Sequence, residues 1–215
     1  MKIQTTSIVC LALVLSACGG HGAQASANTP APPPLPTYRG TFDKGSAENW
    51  TASYGNWWVK DGLYQQDDKG LENTKTMLSL PNSDCYTFQF KTTTPTFCVG
   101  SMLVFVKYQK KYVAWRVGAA SGVSSEVAGI DSPEETARPF TLEEKRWTRL
   151  KIIVNGERLT GWVDDAQTWS IRRQPGQVRG LDPAGLGKDL VGLVGFGTDH
   201  AHVQFGDVQV TPTCQ

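Results

Sequence analysis

Carboxylates, histidines and aromatic rings are the residues of this chain that could carry chemistry, and their spacing decides which chemistry. Cleaving a glycosidic bond needs two carboxyl groups on either side of it at a defined separation. Glu126, Asp131, Glu134, Glu135, Asp164 and Asp165 are available, but no two form a recognisable catalytic pair, and Asp164-Asp165 reads as a turn. His200 and His202 stand two apart, so on a strand they would point the same way, which suits metal ligation or acid–base work. The other histidine, His21, lies far upstream, and no Cys/Asp cluster of metal spacing adjoins the pair. A hairpin end with exposed histidines is therefore the expectation. Gly-x-Ser-x-Gly, His-Glu-x-x-His and P-loop patterns are absent, which leaves those chemistries without support. The residues lean toward binding rather than catalysis. Aromatic faces can pack against the C–H groups of a ligand, and planar polar side chains can hydrogen-bond its hydroxyls. Along Lys111–Gly118, strand alternation puts Val113, Trp115 and Val117 on one face and Tyr112, Ala114 and Arg116 on the other. Trp115 is then core, while Tyr112 and Arg116 face outward, either toward a ligand or as part of a solvated Arg–carboxylate pair.

The N-terminus addresses the compartment. Lys2 gives a positive n-region, and Ser7–Leu15 is apolar but too short to span a bilayer. It ends in Leu15-Ser16-Ala17-Cys18, which resembles the bacterial lipobox, where cleavage precedes the cysteine and the thiol takes a diacylglycerol. Residues 1–17 are thus expected to be a lipoprotein signal peptide and Cys18 the lipidated residue. Gly19 in place of Asp favours the outer membrane by likeness to Gram-negative lipoproteins. Residues 18–36, with the proline-crowded run Gln24–Pro36, read as an extended tether. Residues 37–215 are one domain's worth of chain. The net charge of +1 and the lack of a basic run argue against nucleic acid as a partner, and the membrane is met through the lipid alone. Of the five cysteines, Cys85, Cys98 and Cys214 remain in an oxidising compartment. If Cys85 opens a strand and Cys214 closes an antiparallel neighbour, the two can face each other. A turn near Thr93-Thr94-Pro95 would instead set Cys98 opposite about residue 90. Cys85–Cys214 is the expected bridge, with Cys98 free.

Period-two alternation dominates the domain. Asn56–Gln65 holds two short strands about Asp61-Gly62, and Thr76–Leu80 is another. Cys85–Lys91 alternates Tyr86, Phe88 and Phe90 with Thr87, Gln89 and Lys91. Gly100–Tyr108 and Lys111–Gly118 follow. Trp147–Val154 and Arg158–Val163 form a hairpin about Asn155-Gly156, expected as a type I′ turn. Val191–Thr198 and Ala201–Val210 finish the chain. About ten strands separated by turn residues predict an all-β, two-sheet antiparallel jelly-roll sandwich. Ser124–Glu144 and Ala166–Lys188, rich in Gly, Pro and charge, read as long loops.

Four segments together resemble the concanavalin A-like lectin/glucanase superfamily: FDKGSAENW (Phe42–Trp50), GNWWVKDGLYQQ (Gly55–Gln66), WTRLKIIVNGERLTGWVD (Trp147–Asp164) and VGLVGFGTDHAHVQFGDVQV (Val191–Val210). Laminin-G-like and 3-keto-disaccharide hydrolase-like domains share the cadence. KYVAWRVGAASG (Lys111–Gly122) is similar to a phrase in the concanavalin-like domain of some family-51 arabinofuranosidases. The Gly-Gly-Trp-Gly-Asn-type stretch of those domains is replaced here by Gly118-Ala119-Ala120-Ser121-Gly122, and the Glu-x-Asp-x-x-Glu motif of family-16 glucanases is missing. The resemblance implies that Trp57 and Val59 point inward and Trp58 outward as a stacking platform, and that Tyr112 and Arg116 look onto the sheet where superfamily ligands sit. It also implies that Asp43 and Asp207 match a pair some members use for structural calcium. Calcium needs six or more oxygens and the sequence offers two, so turn capping is the plainer role. The expected function is a lipid-anchored extracytoplasmic carbohydrate-binding module that presents a concave sheet to glycan through Trp58, Tyr112 and Arg116. The alternatives are a glycoside hydrolase or lyase on the same fold, and a structural envelope lipoprotein that binds a protein partner.

Overall fold

Alternation in Cys85–Thr93 sets the interior: Tyr86, Phe88 and Phe90 are fully buried, while Cys85, Thr87, Gln89 and Lys91 between them are half-exposed. Thr148–Asn155 repeats the device, burying Leu150, Ile152 and Val154. The computed structural model describes residues 34–45, 47–96, 99–119, 125–130, 140–172, 178–181 and 190–213. They all belong to one compact unit, Pro33–Gln215; the other unit, Met1–Pro32, lies outside the described residues. Cys18, Cys98, Cys214, Asp131, Glu134 and Glu135 also lie outside them.

In chain order the strands are β1 (Tyr38–Gly40), β2 (Trp50–Tyr54), β3 (Trp57–Lys60), β4 (Leu63–Gln66), β5 (Thr74–Leu78), β6 (Cys85–Thr93), β7 (Ser101–Tyr108) and β8 (Lys111–Ala119). They continue as β9 (Glu126–Ala128), β10 (Thr141–Leu142), β11 (Thr148–Asn155), β12 (Arg158–Val163), β13 (Ala166–Arg172), β14 (Val194–Asp199) and β15 (Val203–Pro212). An eight-stranded sheet runs β13-β12-β11-β6-β15-β4-β3, with β1 on β15. A seven-stranded sheet runs β10-β8-β7-β14-β5-β2, with β9 on β8. The pairings are antiparallel apart from the two-residue β10–β8 ladder, which is parallel. The chain is therefore an all-β jelly-roll sandwich.

Phe196 on β14 ties the two layers together. Its ring stacks on Phe205 of the facing sheet at 3.9 Å and on Trp50 at 4.9 Å, and it meets Phe90 edge-on at 4.8 Å. Trp57 packs inward against Tyr64 and Phe205, as the resemblance implies. Trp115 is core, edge-to-face with Trp169, and its indole N–H donates to Ser125 at 2.6 Å. A hydroxyl pair also crosses between the sheets: Tyr64 and Thr76 lie 2.7 Å apart in the interior.

Several elements differ from the expectations. Ala166–Lys188 is not all loop, because β13 fills its first residues and pairs with β12. Asp164-Asp165 is the turn anticipated, with φ of 45° and 68°, and that turn starts a hairpin. Ser124–Glu144 contributes the short strands β9 and β10 at the sheet edge. At Asn155-Gly156 the register pairs Asn155 with Arg158, so the turn residues are Gly156 and Glu157, and of these Gly156 has the positive φ. A type I′ turn needs positive φ at both central residues; a one-residue offset has replaced it.

Cys85 is disulfide-bonded. The backbone N–H of Thr213 donates to the carbonyl of Cys85, and Pro212 pairs with Tyr86, so the end of β15 runs alongside the start of β6. Peptide mapping without reductant is expected to recover Cys85 joined to Cys214, with Cys98 alkylated as a free thiol. A Cys85–Cys98 peptide would refute this pairing. A second prediction concerns alkali. Burial pushes the Tyr64 phenol up to about 12. A group whose folded pKa is raised contributes stability that is whole below its unfolded value near 10 and is lost as pH climbs toward the folded value. Denaturant unfolding should show stability falling between pH 10 and 12, with Tyr64→Phe making the fall shallower by about 2 kcal/mol.

Candidate functional site

The outer face of the seven-stranded sheet is built on glycine. Gly195 and Gly197 of β14 point outward, and a Cβ at either position would run into Met77 or Phe105, whose side chains lie across the strand. Met77, Leu103 and Phe105, although on the outer face, are completely covered. With Ala114, Leu190, Tyr112 and Leu181 they form a second apolar layer. The segment around Gly180 and Leu181 roofs this end of the sheet: the N–H of Leu181 donates to the carbonyl of Tyr112, and Lys111 Nζ donates to the carbonyl of Val178.

Beyond the roof the face turns polar. Register pairs Tyr54 with Lys75, Lys75 with Gly197, Gly197 with Leu103, Leu103 with Arg116, and Arg116 with Glu126. This is one row across five neighbouring strands and the short β9. Tyr54 is 50% exposed and Lys75 8%. Arg116, with 29% of its side chain exposed, reaches Glu126 at 3.4 Å and Asp199 Oδ2 at 3.9 Å. At about 4.8 Å per strand, Tyr54 and Arg116 stand about 19 Å apart. Alternation identifies Arg116; Glu126, expected in a loop, lies on the short strand β9 instead. Tyr54 was missed because no strand was read there, and Asp199 because the last-but-one strand was ended one residue short of it.

At the rim, the connection from β14 to β15 meets the segment before β5. His200 adopts a φ of 53°, and its N–H donates to the carbonyl of Leu71 at 2.9 Å. Its Nδ1 lies 3.0 Å from the Lys69 carbonyl and its Nε2 2.9 Å from Glu72 Oε1. The Lys69 carbonyl and then the Glu72 carboxylate hold the imidazolium above its ordinary range. Burial moves His202 the other way. Neither histidine stands on a strand: both lie in the connection between β14 and β15, the hairpin end expected of them, and both are half-buried rather than fully exposed. Below, the Thr198 hydroxyl donates to Gln66 at 2.8 Å and shares a 2.7 Å contact with Thr74, which anchors both segments in the interior. Among the described residues, Glu72, Asp199 and His200 are a trio whose ligating atoms converge within 4.8 Å.

The three residues chosen from the sequence do not form one groove. Tyr112 and Arg116 share the outer face of the seven-stranded sheet, but the Tyr112 hydroxyl is bonded to Gly192, donating to its carbonyl at 2.8 Å and accepting from its N–H at 3.1 Å. Trp58 points outward from β3, beside Gln65, on the far side of the sandwich. The physical reason is topological: β3 and β8 belong to different sheets, so their outward residues face opposite directions. Asp43 and Asp207 do share a wall, in a cleft of about 470 Å³ that also takes in Asp61, Lys91 and Trp147. Lys91 Nζ already sits 2.5 Å from Asp207, so a calcium ion there would have to displace it.

The fold is that of the concanavalin A-like sandwiches. No family model matches the chain. The chain is 28% identical over 135 residues to an extracellular exo-α-L-arabinofuranosidase of Streptomyces chartreusis, a match that covers 56% of this chain and spans only 16% of that enzyme's length. A candidate glycosyl hydrolase of Parabacteroides distasonis superposes with a TM-score of 0.55 at 12% identity, over 80% of this chain and 92% of the other. A structure from work on the endo-acting O-glycanases that human gut bacteria express to initiate mucin breakdown gives 0.57 at 11% identity, over 82% and 99%. At these identities the structural likeness is one of fold.

Gly100 positions the rim. A Cβ there would fall on the backbone of Asp199 and His200. Gly100→Ala is expected to cost about 1–3 kcal/mol in denaturant unfolding; a change within about 0.5 kcal/mol would show that the approach of these backbones is not a constraint.

Proposed function

We propose that this chain is an extracytoplasmic glycan-binding module that receives a short oligosaccharide along the Tyr54–Arg116 row. One observation carries the reading: an exposed aromatic ring stands at one end of a row on the outer sheet face, and planar or charged groups stand at the other, with buried Lys75 and Leu103 between them. Sugar C–H faces stack on Tyr54, while Arg116, Glu126 and Asp199 offer donors and acceptors to hydroxyls. The roofed apolar end closes one side, so a ligand runs across the strands. The likeness to an arabinofuranosidase and to a candidate glycosyl hydrolase supports a carbohydrate role. Lipid on Cys18 and the proline-rich tether would hold the module at the outer membrane, a reading that rests on the lipobox alone.

A second reading has its own observation. Glu72, Asp199 and His200 converge beside the row, and a carboxylate with a neighbouring histidine can serve as general base and acid.

Screening the purified full chain on an array of plant, microbial and host glycans should find a bound oligosaccharide. Tyr54→Ala and Arg116→Ala should each weaken binding about tenfold, or about 1.4 kcal/mol, and Trp58→Ala should leave it unchanged. Absence of any bound glycan, or a loss in Trp58→Ala equal to that in Tyr54→Ala, would count against the proposed face. Turnover of pooled oligosaccharides that is lost in Asp199→Asn while binding survives would establish the second reading.

A further inference from the structure

The geometry points to a divalent-metal site formed by Glu72, Asp199 and His200, one that takes a transition ion such as zinc or manganese. The argument begins with the imidazole. A backbone carbonyl can only accept, so Nδ1, 3.0 Å from the Lys69 carbonyl, must carry a proton and donate it. In the neutral ring this leaves a lone pair on Nε2, aimed at Glu72 Oε1 at 2.9 Å with Asp199 Oδ1 at 4.0 Å. A proton on Nε2 can fill that place as a hydrogen bond to Glu72; a divalent ion would displace it and draw the three groups together. A carbonyl on the remote nitrogen is also the usual outer partner of a metal-bound histidine, because it fixes the tautomer and the ring plane.

The carboxylates are divided in the same way. Asp199 presents Oδ1 to His200 and Oδ2 to the Arg116 guanidinium, so one oxygen is oriented by a neighbour and the other is left for the ion. Metal–ligand lengths of about 2.0–2.1 Å imply ligand–ligand edges of about 2.9–3.4 Å, and the 2.9 and 4.0 Å edges reach that range with a small movement of Asp199. The supports are firm. His200 N–H is bonded to Leu71, Gly70 N–H to the Asp68 carboxylate, and the Thr198 backbone N–H to the Thr74 hydroxyl. Glu72 is exposed and His200 half-exposed, so water can complete the coordination. One imidazole nitrogen with two carboxylate oxygens suits zinc or manganese; calcium prefers an all-oxygen shell of six or more. The site is separate from the Asp43/Asp207 cleft, and it does not depend on glycan binding.

The purified full chain, stripped with chelator, is to be titrated calorimetrically with zinc chloride and with manganese chloride, alongside thermal unfolding. One ion per chain and a raised melting temperature are expected. His200→Ala and Glu72→Gln, both at positions open to solvent, should each lower affinity by more than about tenfold. Calcium chloride should give no comparable shift. Absence of saturable binding would show that a proton alone sits between the groups and would overturn the proposal. Binding that persists unchanged in both variants would place the ion elsewhere, for instance at His21, and would overturn it equally. Array results do not enter either outcome, so failure of the glycan reading and failure of the metal site are told apart.

Discussion

The stack of Trp50, Phe196 and Phe205 is the contact from which the rest of the sandwich follows. Phe196 can enter that stack because its strand carries glycine on either side, so inward bulk is not matched by outward bulk. Aromatic packing of this kind adds to simple area burial. The same glycines let Met77 and Phe105 lie flat on the outside of the strand, which turns a sheet surface into a floor. One short sequence, Val194-Gly195-Phe196-Gly197-Thr198, thus decides the core on one side and the shape of the candidate ligand face on the other.

That face is divided by what covers it. Where Leu181 and Leu190 lie over the strands, the surface has become a second small core, and Tyr112 serves it as a hydrogen-bonded pillar against Gly192. Toward β8 and the β14–β15 connection charge collects: Arg116 between Glu126 and Asp199, and His200 against Glu72. Arg116 is partly desolvated, so its interactions are screened less than those of a fully exposed pair. This links the row to the rim, because anything that moves Asp199 is felt by both Arg116 and His200.

The core was legible from alternation alone. Tyr86, Phe88, Phe90, Trp115 and the Trp147–Val163 hairpin region could be placed by a period of two, because each strand has one wet and one dry side. β13 and β2 were not legible. Ala166–Arg172 opens with polar residues behind a double-aspartate turn, and Trp50–Tyr54 is a short edge strand whose outward residues are exposed. The site was legible one strand at a time. Arg116 and Tyr112 were correctly assigned to a shared face, but alternation says only that a residue points away from the core, not from which sheet. Trp58 and Arg116 could be taken for neighbours until the strand order separated them. Lys75, Asp199 and Glu72 reach the site through register and loop geometry, which no period in the sequence encodes.

The first strand gives the sandwich an asymmetry. β1 is three residues long and is attached along Tyr38–Gly40 to β15, with the Tyr38 hydroxyl accepting from the Trp50 indole. β15, by contrast, is zipped to β6 and β4 as well. The entry to the sandwich is thus secured less by its ladder than by side chains on either side of it, Leu35 and Phe42 in the core and Tyr38 on Trp50.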